Sequence, residues 1–124
     1  MAGERVLVVE DNQKNMKLFR DVLQATGYTT LGATTGEEAI ELARLQQPAL
    51  VLMDVQLPGI DGIEALERLR RDERTASIPV LALTAQAMHG DRERFLQAGF
   101  DGYLSKPVDV VELIRTVQEH CDRG

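Results

Sequence analysis

The sequence predicts a doubly wound α/β fold, with a five-stranded parallel sheet covered by helices on both faces. Two observations carry this prediction. Short runs rich in valine, isoleucine and leucine alternate five times with helical patterns along the chain, and such runs are typical of parallel strands buried on both faces. The connections between them are short, which favours right-handed crossovers. We therefore expect the flavodoxin-like strand order 2-1-3-4-5, with its switch point between strands one and three.

The elements can be placed in order along the chain. We predict strands over residues 5–9, 29–33, 50–53, 80–83 and 102–104. The predicted helices cover residues 15–26, 37–46, 63–71, 91–98 and 110–120. The first helix carries an apolar stripe at three-and-four spacing that predicts a core-facing side, formed by Met16, Phe19, Val22 and Leu23.

Start and stop signals support these boundaries. Capping boxes, in which side chains satisfy the first free amides of a helix, begin at Thr35, Asp61 and Asp109. Gly27 and Gly99 stand where helix C-caps are expected.

Length and composition limit the kinds of function that the chain can have. The 124 residues predict one domain over 1–124 with no output domain. A net charge of −6 and 4% aromatic residues argue against a nucleic-acid partner. No apolar stretch reaches the roughly 18 residues of a membrane helix. The lone Cys121 and the absence of a leader predict a cytoplasmic protein.

Polar residues at the ends of the predicted strands point to one charged site. Glu10 and Asp11 follow strand one, Asp54 follows strand three, Thr84 follows strand four and Lys106 lies just after strand five. Because the carboxyl ends of parallel strands share one edge, we expect these side chains to meet there. Crowded carboxylates repel each other, so the grouping makes sense if a divalent cation and an anionic group belong among them.

Each of these residues also has an ordinary structural reading when taken alone. The acidic pair after strand one could cap a helix, and Asp54, which precedes a Pro-Gly pair, could form a turn. Thr84 could satisfy a local backbone group, and Lys106 could be a solvated surface charge. Their convergence on one sheet edge favours the functional interpretation.

The chemistry of the expected site is that of phosphoryl transfer. Carboxylates without nearby cysteine or histidine exclude a zinc-type site and suit Mg²⁺, or Mn²⁺ in its place. Asp54 could then act as nucleophile toward a phosphoryl group. Lys106 and the Thr84 hydroxyl would neutralise the phosphoryl oxygens.

The chain resembles the receiver domains of two-component response regulators over essentially its whole length. The resemblance is carried by four motifs that are specific in combination: Val8-Val9-Glu10-Asp11-Asn12, Leu52-Met53-Asp54 with Pro58-Gly59-Ile60-Asp61-Gly62, Ala82-Leu83-Thr84-Ala85, and Gly102-Tyr103-Leu104-Ser105-Lys106-Pro107. The segment from Glu10 to Phe19 is also similar to that of the DivK-like single-domain regulators.

The resemblance implies a role for each matching residue of the charged site. Asp54 would be the phosphoacceptor, and Glu10, Asp11 and Asp54 would hold Mg²⁺ with the backbone carbonyl of Gln56. Lys106 would bind the phosphoryl group. Glu10 departs from the aspartate that is commoner at the first acidic position.

Other implied roles lie around that centre. Thr84 and Tyr103 would be the switch pair, although Tyr103 could also be a half-buried aromatic on an edge strand. Gln56 and Gln86 would tune the phosphoryl lifetime, and a cis bond is implied at Pro107.

The resemblance also implies the partners and the output. A histidine kinase or histidine phosphotransfer protein of a bacterial phosphorelay would donate the phosphoryl group. A downstream protein would dock on the face of helix four, strand five and helix five. The chain would signal rather than act as an enzyme in the usual sense, while assisting its own phosphorylation and dephosphorylation.

Two other interpretations compete with a stand-alone regulator. The chain could be an excised receiver of a hybrid histidine kinase or larger regulator. It could also be a phosphatase or flavin protein of the same topology, but the loop after strand one opens with acidic residues that would repel a flavin phosphate.

Overall fold

A computed structural model describes residues 4–85 and 91–121, with side chains for all of these except residues 91 and 92. The strands of the described chain are β1 (Arg5–Val9), β2 (Thr29–Ala33), β3 (Leu50–Asp54), β4 (Val80–Thr84) and β5 (Gly102–Ser105). The helices of the same ranges are α1 (Gln13–Ala25), α2 (Gly36–Gln46), α3 (Gly62–Arg71), α4 (Asp91–Ala98) and α5 (Val110–Cys121).

The strands form one parallel sheet in the order β2-β1-β3-β4-β5, which confirms the predicted fold class and order. Alternate residues of the central strands enter two cores, one on each face. Val6, Val8, Leu50 and Leu52 pack under α1 and α5, where Phe19 and Leu23 of the predicted stripe are buried. The opposite core packs under α2, α3 and α4 and includes Leu7, Val9, Val51, Met53 and Phe95.

Most element boundaries agree with the predictions, and the differences have local causes. α1 begins two residues early because Asn12 caps it, with its side chain accepting the Asn15 N–H at 3.0 Å. β3, β4 and β5 each run one residue further, through Asp54, Thr84 and Ser105, because the ladder continues past the last apolar residue. Two polar residues of the predicted site, Asp54 and Thr84, are therefore the last residues of their strands.

The predicted caps are formed, but the capping boxes are only half complete. Thr35 and Asp61 accept the backbone N–H groups of Glu38 and Glu64 at 3.1 and 2.9 Å. The reciprocal half is missing because Glu38 accepts from the Thr34 N–H and Glu64 pairs with Arg68. Asp109 accepts the N–H of Val111 at 3.0 Å. Gly27 and Gly99 end their helices with φ of 101° and 114°, where glycine avoids side-chain strain.

Candidate functional site

Three carboxylates gather where β1 and β3 end at the carboxyl edge of the sheet. Glu10 follows β1 directly, Asp11 comes next, and Asp54 is the last residue of the neighbouring strand β3. One carboxylate oxygen from each lies within 4.8 Å of the others, although more than forty positions separate Asp54 from the other two in sequence. The parallel pairing of β1 with β3 produces this meeting. The predicted acidic cluster is therefore present.

Lys106 reaches this cluster from the end of β5 and lies between two of its members. Its Nζ is 2.8 Å from Asp54 Oδ2 and 2.7 Å from Glu10 Oε1. The Lys106 backbone is held in turn, because its N–H donates to the Thr84 carbonyl at 2.7 Å. Lys106 thus contacts two members of the acidic cluster and is not a solvated surface charge.

Burial and pairing shift the pKa values of this group. Glu10 is 1% exposed, and burial raises the pKa of its carboxyl, partly opposed by Lys106 and the Asn12 N–H. Burial lowers the pKa of Lys106, but its close contacts with the Asp54 and Glu10 carboxylates outweigh this and raise the pKa overall. Lys106 consequently stays charged across the physiological range.

Both oxygens of Asp54 have assigned partners, which orients the carboxylate. Oδ1 accepts the backbone N–H of Gln56 at 2.9 Å, and Oδ2 accepts from Lys106. The carboxylate is 6% exposed, so it is buried but lies at the rim of the sheet. A side chain held by two donors at a strand end is presented in one orientation to whatever approaches the edge.

Glu10 offers an oxygen that fits a metal ion. Its Oε2 accepts the Asn12 N–H at 3.1 Å. Its Oε1 is buried and accepts no hydrogen bond of good geometry within residues 4–85 and 91–121, its close contact being the ion pair with Lys106. An incompletely satisfied carboxylate oxygen beside two further carboxylates is a donor set of the kind that hard divalent cations prefer. Glu10, Asp11 and Asp54 therefore fit Mg²⁺ or Mn²⁺.

The remaining predicted residues lie around this centre, with one exception. Thr84 is buried at the end of β4, one residue beyond the partner of Asp54 in the ladder. Tyr103 is half-buried on β5 and packs against the core beneath α2, α3 and α4. The Lys106-Pro107 bond is cis, as expected. Gln86 lies outside the described residues.

The sequence analysis missed one residue that shapes the site, Gly62. The first residue of α3 packs on the backbone of Asp54 so closely that a Cβ there would lie 2.4 Å from the Asp54 carbonyl oxygen. Its N–H donates to the Val55 carbonyl at 2.9 Å. The glycine was visible in the motif, but only the path of the β3–α3 loop shows what it contacts.

The fold and the site together define a class of protein. A 2-1-3-4-5 parallel sheet with clustered carboxylates and a lysine at its carboxyl edge is the architecture of a phosphoacceptor signalling domain. The family model of the response regulator receiver domain matches residues 6–118. The chain belongs to the response regulator receiver domain family, and it is a receiver of two-component signalling.

Known relatives and solved structures agree with this assignment. The polar-differentiation response regulator DivK of Brucella ovis is 49% identical over 115 residues, which cover 93% of this chain and 94% of the relative. The receiver domain of a sensor histidine kinase from Pseudomonas aeruginosa, solved with magnesium in its active-site cleft, has a TM-score of 0.90 and 39% identity, covering 98% and 99% of the two chains. A response regulator receiver domain from Francisella superposes with a TM-score of 0.91 at 30% identity, covering 98% of each chain.

These findings favour a DivK-like regulator over the other interpretations of the sequence. The relatives that match at 49% identity are matched along nearly their whole length. Among the described residues, none of the helices has both the length and the apolar character needed to cross a membrane.

Proposed function

We propose that Asp54 accepts a phosphoryl group from a phosphohistidine of a histidine kinase or histidine phosphotransfer protein. The observation that carries this assignment is the position of Asp54, whose carboxylate is held 2.8 Å from Lys106 and within the acidic cluster. The modified protein then signals by a change in its affinity for another protein.

The transfer step balances as a simple displacement. A carboxylate oxygen of Asp54 attacks phosphorus, an O–P bond forms, and the N–P bond of phosphohistidine breaks. The leaving imidazole keeps the bonding electron pair and takes a proton from solvent. Hydrolysis of the resulting acyl phosphate by water restores Asp54 and releases inorganic phosphate, so the modification is reversible.

The residues of the site neutralise the charge that the transfer brings in. Mg²⁺ held by Glu10, Asp11, Asp54 and the Gln56 carbonyl would supply Lewis-acid stabilisation of the phosphoryl oxygens. The Lys106 ammonium would add a second positive charge beside the phosphoryl group, and it already contacts the accepting carboxylate of Asp54. After the metal and Lys106, the Thr84 hydroxyl at the end of β4 would be the third group to contact the phosphoryl oxygens. Gln56 and Gln86 would set how long the acyl phosphate lasts.

Phosphorylation would change the surface of the protein through movements of the Thr84 and Tyr103 side chains. Phosphorylation adds negative charge and three acceptor oxygens, which would draw the Thr84 hydroxyl toward Asp54. Tyr103 pairs with Ala82 on the neighbouring strand, two residues before Thr84, and would move into the space that is left. The face of α4, β5 and α5 changes as a result, and there a downstream protein would dock.

Composition and charge support the remaining assignments. The net charge of −6 argues against nucleic acid as the partner. The single Cys121 suits the reducing cytoplasm, where the chain would receive the phosphoryl group from its partner kinase or phosphotransfer protein.

The test is intact mass after incubation with Mg²⁺ and acetyl phosphate. Wild type should gain one phosphoryl group, whereas Asp54→Asn should gain none. Asp61→Asn is the matched control, because Asp61 is an exposed helix cap in the following loop and asparagine caps equally well. It should be phosphorylated like the wild type. Phosphorylation of Asp54→Asn would contradict the assignment.

A further inference from the structure

A cleft of about 330 Å³ lies between α1 and the residues that follow β1 and β2. Side chains at three-and-four spacing line it from one face of the helix, namely Gln13, Met16, Arg20 and Gln24. Glu10 and Asp11 line it beside the start of the helix, and Thr34 lines it after β2. Its size is that of a site for a small organic molecule.

Arg20 lies in this cleft with its guanidinium held by neutral groups. Its Nε donates to the buried Thr30 hydroxyl at 3.0 Å, and its Nη2 lies 3.4 Å from the Thr30 carbonyl oxygen. Gln24 donates to the same hydroxyl at 2.7 Å. Among the described residues, Arg20 forms no ion pair and its Nη1 donates to no acceptor. The guanidinium is half-buried and oriented, so its unused N–H donors suit an anion from outside the chain.

Gly32 on β2 makes room for this arrangement. A Cβ at Gly32 would lie 3.0 Å from Arg20 Nη1 and 3.3 Å from Met16 Sδ. Both side chains therefore lie close against the strand, next to each other. The Met16 thioether gives the cleft an apolar wall beside the guanidinium, and methionine sulfur makes favourable contacts with aromatic rings.

The acidic residues of the cleft limit the charge of its ligand. Glu10 and Asp11 would repel a dianion such as a phosphate ester more strongly than a monoanion. A carboxylate brings a single charge, and its two oxygens match the planar fork of the Arg20 guanidinium. The cleft therefore favours a carboxylate over a phosphate.

We propose that this cleft binds a small aromatic carboxylate, with Arg20 holding the carboxylate and Met16 contacting the ring. The site is distinct from Asp54, and binding to it requires neither a metal ion nor a phosphodonor. The bound molecule would lie next to the proposed phosphorylation site, because Glu10 and Asp11 belong to both.

Titration calorimetry in EDTA tests the site on the wild-type protein. Phenylacetate is the probe, and phenylacetamide is its neutral match, since it has nearly the same shape without the charge. We expect phenylacetate to bind with a Kd below about 1 mM and phenylacetamide to bind at least tenfold more weakly. Failure of phenylacetate to bind at millimolar concentration, or equal affinity for the amide, would overturn the proposal.

Phenyl phosphate separates carboxylate recognition from phosphate recognition. It is largely dianionic at about pH 8, so repulsion from Glu10 and Asp11 should make it bind at least threefold more weakly than phenylacetate. Equal or tighter binding of phenyl phosphate would overturn the assignment of a carboxylate ligand.

A pair of variants tests the role of Arg20. Arg20→Met should weaken phenylacetate binding at least tenfold. Lys17→Met is the matched control and should stay within threefold of wild type, because Lys17 lines the same cleft but is paired with Asp21 at 2.7 Å. Circular dichroism shows whether each variant is folded, and the comparison of ligands on wild type decides the question if Arg20→Met is not. Equal losses in the two variants, or wild-type affinity in folded Arg20→Met, would overturn the role of Arg20.

Discussion

At the scale of single residues, the site is defined by opposite charges that meet at the carboxyl edge of the sheet. Glu10, Asp11 and Asp54 bring three carboxylates together, and Lys106 neutralises part of their repulsion. Two unit charges about 4 Å apart interact by about 4 kcal/mol at an effective dielectric of 20. Each member therefore changes the stability and the reactivity of the others.

Removing the Asp54 charge should not destabilise the metal-free fold. Asp54→Asn loses the ion pair with Lys106 but also removes repulsion from the other two carboxylates, and Lys106 keeps Glu10 as its partner. We expect a urea midpoint in EDTA equal to or above that of the wild type. A clearly lower midpoint would show that the Asp54–Lys106 pair outweighs the repulsion.

Removing the Lys106 charge should impair phosphorylation strongly. Lys106→Met deletes the cation that contacts the accepting carboxylate, so we expect the acetyl phosphate rate constant to fall at least tenfold, equivalent to about 1.4 kcal/mol. Lys17→Met is the control, because Lys17 is an exposed lysine of α1 whose only acidic partner within residues 4–85 and 91–121 is Asp21. Equal rates in the two variants would contradict the role of Lys106.

At the scale of elements, the start of α3 positions the end of β3. Gly62 leaves no room for a side chain, since a Cβ would meet the Asp54 carbonyl oxygen at 2.4 Å and the Val55 Cα at 2.8 Å. Both are backbone atoms, which cannot move without shifting Asp54 itself. The close approach couples helix packing to the site.

Gly62→Ala should consequently displace Asp54. We expect a stability loss of about 1–3 kcal/mol, typical of overpacking, and a drop in phosphorylation rate of at least tenfold. Gly36→Ala at the start of α2 is the control, because the three nearest neighbours of its new Cβ would all be atoms of Ile60, namely Cγ1 at 2.7 Å, Cδ1 at 3.0 Å and the backbone oxygen at 3.2 Å, and Ile60 is not part of the site. The account fails if Gly62→Ala phosphorylates as fast as Gly36→Ala does.

At the scale of the whole molecule, Arg70 stabilises the amino-terminal edge of the sheet, which lies opposite the site. Arg70 of α3 donates to the carbonyls of Ala76, Ile78 and Gly99 at 3.1, 2.7 and 3.0 Å, and to Asp101 Oδ2 at 2.9 Å. It thus joins α3 and the loop before β4 to the turn between α4 and β5.

Arg70→Met should remove these hydrogen bonds and lower the free energy of unfolding. Hydrogen bonds of charged groups contribute about 1.5–3 kcal/mol each and do not add, so we expect a loss of about 2–4 kcal/mol in urea unfolding. The neighbouring Arg71 is exposed and pairs with no acid among the described residues, and Arg71→Met should stay within about 0.5 kcal/mol of wild type. A loss in Arg71→Met equal to that of Arg70→Met would contradict this assignment.

The sequence allowed the fold and the meeting of the three carboxylates to be predicted, but not the contacts around them. Strand order follows from short βα units with one allowed handedness, and the meeting of Glu10 with Asp54 follows from that order. The Glu10–Lys106 contact and the close approach of Gly62 depend on side-chain reach and loop path, which periodicity does not encode. The strands ended one residue beyond prediction because ladder bonds continue through polar Asp54 and Thr84.

The most direct test of the central claim is to locate the phosphoryl group. The chain is treated with Mg²⁺ and acetyl phosphate, reduced with borohydride, and digested for peptide mass spectrometry. Borohydride converts an aspartyl phosphate to homoserine, so we expect homoserine at position 54 and aspartate at positions 11 and 61. Homoserine at another aspartate, with Asp54 unchanged in a phosphorylated chain, would contradict the assignment of Asp54 as the phosphoacceptor.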